Sequence, residues 1–185
     1  MTASLAAEEV TLDADCDADS ALEQLYAAHW RRLVRLGVLL LRDQGVAEEV
    51  VQDAFVAMHA RWRSLRDPDK ALAYLRQTVV NRSRSALRHR GVVERYVARQ
   101  SGALPLAEAA DGPSLAADRR TAVLDALRAL PTRQREVLAL RYYLELSESE
   151  IADALGISRG SVKAHASRGS AALRDRLTDH MKGDL

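Results

Sequence analysis

The sequence predicts an all-α fold of two small helical domains joined by a flexible linker, the C-terminal one containing a helix-turn-helix. Three observations carry that expectation. β-Branched residues are sparse, while Ala, Leu, Arg and Glu, all good helix formers, dominate nearly every stretch. Apolar residues recur at three- and four-residue steps, the period of an amphipathic helix. Between two such regions lies a stretch holding Gly102, Pro105, Gly112 and Pro113, residue types that punctuate regular structure.

Leu22, Leu25, Tyr26, His29, Leu33, Leu36 and Leu40 make one apolar stripe, a first helix that the Gly45 region ends. A second stripe runs through Val46, Val50, Ala54, Met58 and Trp62, with Glu48, Glu49 and Asp53 off its line. Asp67 and Pro68 then offer an N-cap and a first-turn proline to a third helix, whose inward positions are Leu72, Leu75, Val79 and Ala86. Three helices with short connections make one compact bundle over residues 20–90. Trp62 and Tyr74 bracket the loop before the third helix; core packing is the favoured reading of both, stacking on unpaired bases the alternative. Residues 91–117 read as the linker. The second domain, 118–180, opens with Leu124, Leu127 and Leu130, restarts at Pro131 and continues through Val137, Leu138 and Leu140.

Ser147-Glu148-Ser149-Glu150 is a capping box, in which the Ser147 hydroxyl and the Glu150 carboxylate each satisfy a free amide at a helix start. That helix buries Ile151, Ala152 and Leu155 and stops at Gly156, where the turn calls for a positive φ; Ser158 caps the next. In the second helix of the motif, Val162, Ala166, Gly169 and Leu173 share one face, with small residues that permit close approach. Arg159, Ser161, Lys163, His165 and Arg168 lie on the other, near the N-terminal half, where a recognition helix meets base edges and phosphates. On the third helix of the first domain, Asn81, Arg84, Ser85 and Arg88 follow i, i+3, i+4, i+7 spacing, flanked by Arg76, Arg82, Arg90, Arg95 and Arg99. Guanidinium groups at this density suit phosphates; the bland reading is a solvated helix face.

Charge is segregated. The chain totals +1, yet residues 1–19 hold Glu8, Glu9, Asp13, Asp15, Asp17 and Asp19 and no Lys or Arg. A basic body with an acidic, disordered tail fits nucleic-acid binding, and charge alone leaves an ordinary solvated surface equally open. Cys16 is the one cysteine, so neither an internal disulfide nor a cysteine zinc site is expected. The glycines form no G-x-G-x-x-G or phosphate loop, and the histidines lack zinc-binding spacing, so no catalytic site, metal or cofactor is expected. The acidic N-terminus is unlike a signal peptide, and the apolar run from Leu36 to Leu41 is far too short to span a bilayer; a cytoplasmic protein without membrane insertion is expected.

Taken in order, Ala47-Glu48-Glu49-Val50-Val51-Gln52-Asp53-Ala54-Phe55, Ala73-Tyr74-Leu75, and Asn81 followed by Arg82 through Arg90 resemble the first domain of bacterial RNA polymerase sigma factors of the extracytoplasmic-function group. Leu130-Pro131-Thr132-Arg133-Gln134-Arg135-Glu136-Val137, Ser149-Glu150-Ile151-Ala152, Gly156-Ile157-Ser158 and Ser161-Val162-Lys163 resemble the second, so the likeness spans roughly residues 20–180. The resemblance implies a non-enzymatic factor that binds core RNA polymerase, through the beta-prime clamp and the beta flap, and directs promoter recognition, DNA melting and initiation. It implies that Glu48, Glu49, Val50, Gln52, Asp53 and Phe55 contact core polymerase. Asn81, Arg82, Arg84, Ser85, Arg88 and Arg90 would meet the minus-ten element, and Ser64, Leu65, Arg66 and Asp67 would take a flipped base. Ser158, Arg159, Ser161, Lys163, His165 and Arg168 would read the minus-thirty-five element. An anti-sigma partner and a monomeric free protein follow from the same likeness. Tyr74 stands where relatives often carry Trp. The competing reading is a helix-turn-helix regulator that binds operators without polymerase, which accounts for the second domain only.

Overall fold

The computed structural model describes residues 18–65, 67, 70–100 and 115–183, and among them there is no strand. Helix α1 spans Ala18–Leu41, α2 Gln44–Arg61, α3 Ala71–Gln100, α4 Leu115–Arg128, α5 Thr132–Leu138, α6 Glu148–Leu155 and α7 Arg159–Gly183. A 3-10 turn, Trp62–Ser64, follows α2, and a π turn, Ala139–Tyr143, follows α5. The expected tail reaches one step into this fold: Asp19 lies in the first turn of α1 and meets His59 of α2 at 2.9 Å. Cys16, Arg66, Pro68 and most of the linker lie outside the described residues.

The first three helices bury the stripes that the sequence lays out. Leu25, Leu33, Leu36 and Leu40 of α1 meet Val51, Ala54 and Met58 of α2 and Leu75, Val79 and Val80 of α3. Tyr26 departs from its stripe, being 46% exposed, and stacks on Trp30 at 4.6 Å with the edge of Phe55 at 5.2 Å. The break between α1 and α2 falls before Gly45. Arg42 adopts a φ of 57°, and Asp43 caps α2 by accepting the Val46 amide at 3.0 Å, leaving Gly45 inside the first turn. Gly37 allows α1 and α2 to touch, since a Cβ there would lie 2.8 Å from that of Ala47.

Gly91 does not end the third helix; α3 runs through it to Gln100. One mid-helix glycine costs about 1 kcal/mol, less than the neighbouring helix formers supply. In the second half, Pro131 precedes α5 and Val137, Leu138 and Leu140 are buried, as their pattern requires.

The two halves are docked. Val137, Leu140, Leu144, Leu146, Ile151 and Leu155 join the same apolar cluster as the α1–α3 core, while Leu127, Leu130 and Leu138 form a smaller one. Polar contacts cross the same boundary. Arg135 on α5 donates to the Leu40 carbonyl at the C-terminal end of α1 (2.8 Å), where the helix leaves acceptors unpaired. Arg32 donates to the Leu144 carbonyl and the Tyr143 hydroxyl to that of Arg32, both at 3.3 Å. Arg42 pairs with Asp125.

Candidate nucleic-acid interface

The helix-turn-helix is assembled locally. Ser147 accepts the Glu150 amide at 3.3 Å and returns its own amide to the Glu150 carboxylate at 2.8 Å, completing the capping box. The Ser147 hydroxyl, which donates to the Glu150 carboxylate at 2.7 Å, and then the Ser147 amide hold the Glu150 carboxyl below the usual carboxylate range. Gly156 ends α6 with a φ of 63°, and the Ser158 hydroxyl accepts the Ser161 amide at 3.1 Å to start α7. Val162, Ala166 and Gly169 are buried, and Leu173 is half-buried. Gly169 has to be small, because a Cβ there would stand 3.2 Å from both Gln134 and Leu138.

Arg159, Lys163 and Arg168 are exposed on this helix, as is Ser158 just before it. Ser161 and His165 are half-buried, and His165 turns its Nδ1 inward without a partner. Those two residues flank the outward face instead of projecting from its centre. Glu148, at the start of α6, lies 3.7 Å from the Lys163 ammonium and 3.6 Å from Arg141. Arg141 therefore joins the basic surface beside Lys163, a residue the sequence reading passed over. Its place depends on the π turn, which no local sequence signal announces.

On α3, Asn81, Ser85, Arg88 and Arg90 are exposed, and Arg82 and Arg84 are half-buried. Arg82 pairs with Asp53 at 2.5 Å, Arg90 with Asp43 at 3.5 Å, and Arg88 donates to Ser85 at 3.0 Å. Arg84 points at the other half. Its Nε and Nη2 donate to the two carboxylate oxygens of Glu136 on α5 at 2.8 and 2.9 Å, while Nη1 donates to Asn81 at 3.1 Å. Among the loop residues, Ser64 is exposed and donates to the Arg61 carbonyl at 2.8 Å, while Leu65 and Asp67 are half-buried. Leu65, Tyr74 and Gln77 line a cleft of about 390 Å³ whose opposite wall is Leu146, Asp153 and Ala154. Trp62 and Tyr74 pack against the core, and the Arg61 guanidinium sits 5.6 Å above the Tyr74 ring.

The acidic patch of α2 divides. Glu48, Glu49, Gln52 and Asp53 are exposed, whereas Val50 and Phe55 are buried at 7% and 5% exposure. Both lie on the inward side of α2, where they hold the helix against its neighbours, unlike the exposed Glu48, Glu49, Gln52 and Asp53 with which the sequence pattern grouped them. Among the described residues no helix is long and apolar enough to cross a membrane.

Residues 25–92 match the family described as sigma-70 region 2, and residues 120–173 match sigma-70, region 4. The RNA polymerase sigma-E factor of Streptomyces antibioticus is 32% identical over 84% of this chain and 83% of its own length. The RNA polymerase sigma factor CarQ of Myxococcus xanthus is 33% identical over 86% of this chain and 91% of its own. Among solved structures, the sigma factor RpoE of Bartonella quintana, crystallised in complex with the anti-sigma factor NepR, superposes with a TM-score of 0.66 over 84% of this chain and 96% of that one. At 24% identity that likeness is one of fold.

Proposed function

Because the chain belongs to the RNA polymerase sigma factors of the extracytoplasmic-function group, we propose that each of its exposed polar faces meets one component of a transcription initiation complex. The protein is an alternative, non-enzymatic sigma factor that directs core RNA polymerase to promoter DNA. We assign residues 20–90 to core-polymerase and minus-ten binding, 118–180 to minus-thirty-five binding, and the stretch between to a linker. The exposed Glu48, Glu49, Gln52 and Asp53 of α2 meet the polymerase clamp, and the C-terminal domain meets the beta flap.

The observation that carries this reading is one chain bearing both a capped helix-turn-helix with an exposed basic N-terminal face and a second arginine-rich helix beside a cleft-forming loop. Ser158, Arg159, Lys163 and Arg168, with Ser161 and His165 at the edge, enter the major groove at the minus-thirty-five element. Asn81, Arg82, Arg84, Ser85, Arg88 and Arg90 track the minus-ten strand by its phosphates, and the loop of Ser64, Leu65, Arg66 and Asp67 receives an unstacked base. A cytoplasmic location, a monomeric free protein and control by an anti-sigma partner that covers these faces complete the proposal. A regulator acting on operators alone leaves the whole of residues 25–92 without a role.

The test is run-off transcription with core polymerase on a library of genomic fragments. Wild type is compared with Lys163→Ala plus Arg168→Ala and with Arg84→Ala plus Arg88→Ala. Discrete start sites in the wild type, lost in both variants, support the two DNA faces together. Specific footprinting by the free protein, with no polymerase-dependent start, sinks the assignment of the faces.

A further inference from the structure

A groove of about 870 Å³ runs between α1 and α4, and no residue assigned above to promoter DNA lines it. Its floor is apolar. Trp30, Val34, Val38 and Leu39 of α1 face Val123 and Leu124 of α4, and Val123 is 39% exposed. Tyr26, stacked on Trp30 and itself exposed, extends the apolar surface one turn toward the start of α1. Arg31, Arg35 and Arg120 stand exposed along the same groove. Arg35 bonds the Tyr143 side chain, while Arg31 and Arg120 have no ion-pair or hydrogen-bond partner among the described residues. Glu48 is the one carboxylate among the described residues of the lining, and it accepts the Gln44 amide at 2.9 Å. Such a groove suits a ligand that is apolar along its middle and anionic at its edges.

The chain carries such a segment itself, outside the described residues. Residues 1–17 hold Glu8, Glu9, Asp13, Asp15 and Asp17, no Lys or Arg, and the apolar Val10 and Leu12 set two apart. That spacing puts Val10 and Leu12 on one side of an extended chain and Glu9, Thr11 and Asp13 on the other. The reach fits as well. Counted from Ala18 along α1, Trp30 and Leu39 lie at about 18 and about 32 Å. A chain running back along α1 from Ala18 in extended form is at about 17 Å by Asp13 and about 33 Å by Glu8. We propose that residues 8–13 of the acidic tail dock in the α1–α4 groove, with Val10 and Leu12 on its floor and Glu9 and Asp13 toward Arg31, Arg35 and Arg120. Single surface ion pairs are weak, but a short tether holds the segment at high effective concentration, so modest contacts suffice. The docked tail borders Glu48, one of the residues assigned to the polymerase clamp, and leaves the exposed faces of α3 and α7 open.

The experiment uses the full chain with a nitroxide on Thr11→Cys in a Cys16→Ser background, read as loss of amide NMR signal. Signals of Val34, Val38 and Val123 should be lost, and that of Arg159 at the start of α7 kept. Arg31→Glu plus Arg120→Glu, at exposed positions that folding does not depend on, should restore the lost signals. Adding Glu9→Arg plus Asp13→Arg to that variant should remove them again, and helical circular dichroism checks that each chain is folded. Salt at about 1 M, where the screening length falls to about 3 Å, should weaken the losses in the unreversed chain. An isotope-labelled chain without nitroxide, mixed with a nitroxide chain without isotope, should show no loss, because each tail fills its own groove. Signals kept at Val34 and Val123 overturn the proposal and leave the groove to a partner of the same chemistry. Losses as strong at Arg159, or losses that survive the charge reversal, overturn it too. Losses in the mixed sample overturn it by giving the groove to the tail of a second copy.

Discussion

At His29, on the inward stripe of α1, burial and two guanidiniums act in the same direction. The residue is 6% exposed, and burial first, then Arg76 and Arg32, lowers its pKa below the ordinary histidine value of about 6.5. The folded protein thus binds fewer protons here than the unfolded chain. Its contribution to stability is complete above about pH 6.5 and is lost as the pH falls from there through the depressed folded value. Urea denaturation at pH 7.5 and pH 5 should give a lower midpoint in acid, and His29→Leu should shrink that difference; an equal difference in the variant would place the acid sensitivity elsewhere. Gly37 makes a second prediction by packing alone. Gly37→Ala sets a Cβ 2.8 Å from that of Ala47 and 3.3 Å from its Cα, so α2 itself has to move, at a cost of about 1–3 kcal/mol. Gly45→Ala, whose Cβ would meet nothing closer than 3.7 Å, should leave stability level or higher, and thermal melts of the pair would distinguish the two sites.

At the scale of the element, what was legible was what is encoded within a few residues. The capping box, the positive φ at Gly156 and the Ser158 cap all appear where the sequence puts them, because each is a contact between near neighbours. Ser147→Ala should therefore cost about 1 kcal/mol and be visible as a lowered denaturation midpoint of the whole chain. Two features were not legible. The third helix passes through Gly91, since glycine weakens a helix without ending one, and α5 runs into a π turn that no composition signals. That turn brings Arg141 beside Lys163, both facing Glu148. The same limit explains Val50 and Phe55: a motif read as a string of residues does not say which side of α2 each occupies, and the packing against α1 decides it. If Arg141 meets a phosphate in the minus-thirty-five complex, Arg141→Ala should weaken binding uniformly across sequences. It should also reduce the slope of log affinity against log salt by about 1. An unchanged slope would leave Arg141 a structural partner of Glu148.

For the molecule as a whole, periodicity predicted two bundles and said nothing of their docking. The reason lies in sequence distance: Arg84 reaches Glu136 across 52 residues, Arg135 reaches Leu40 across 95 and Arg32 reaches Leu144 across 112, and each cation reads locally as ordinary helix surface. Docking makes a thermodynamic prediction that separate domains would not. Leu144 is 4% exposed in the shared apolar cluster, and the carbonyl of this residue also takes the Arg32 guanidinium of α1. Truncating it by Leu144→Ala should cost about 2–5 kcal/mol, the usual range for a buried leucine. Because the cluster runs from α1 to α7, the loss should reach both halves. Native-state hydrogen exchange should speed up at the amides of Leu33 and Leu36 in α1 as well as at Val162 in α7, with one thermal transition in place of two. Faster exchange confined to α4–α7 would mean that the halves touch without folding as a unit.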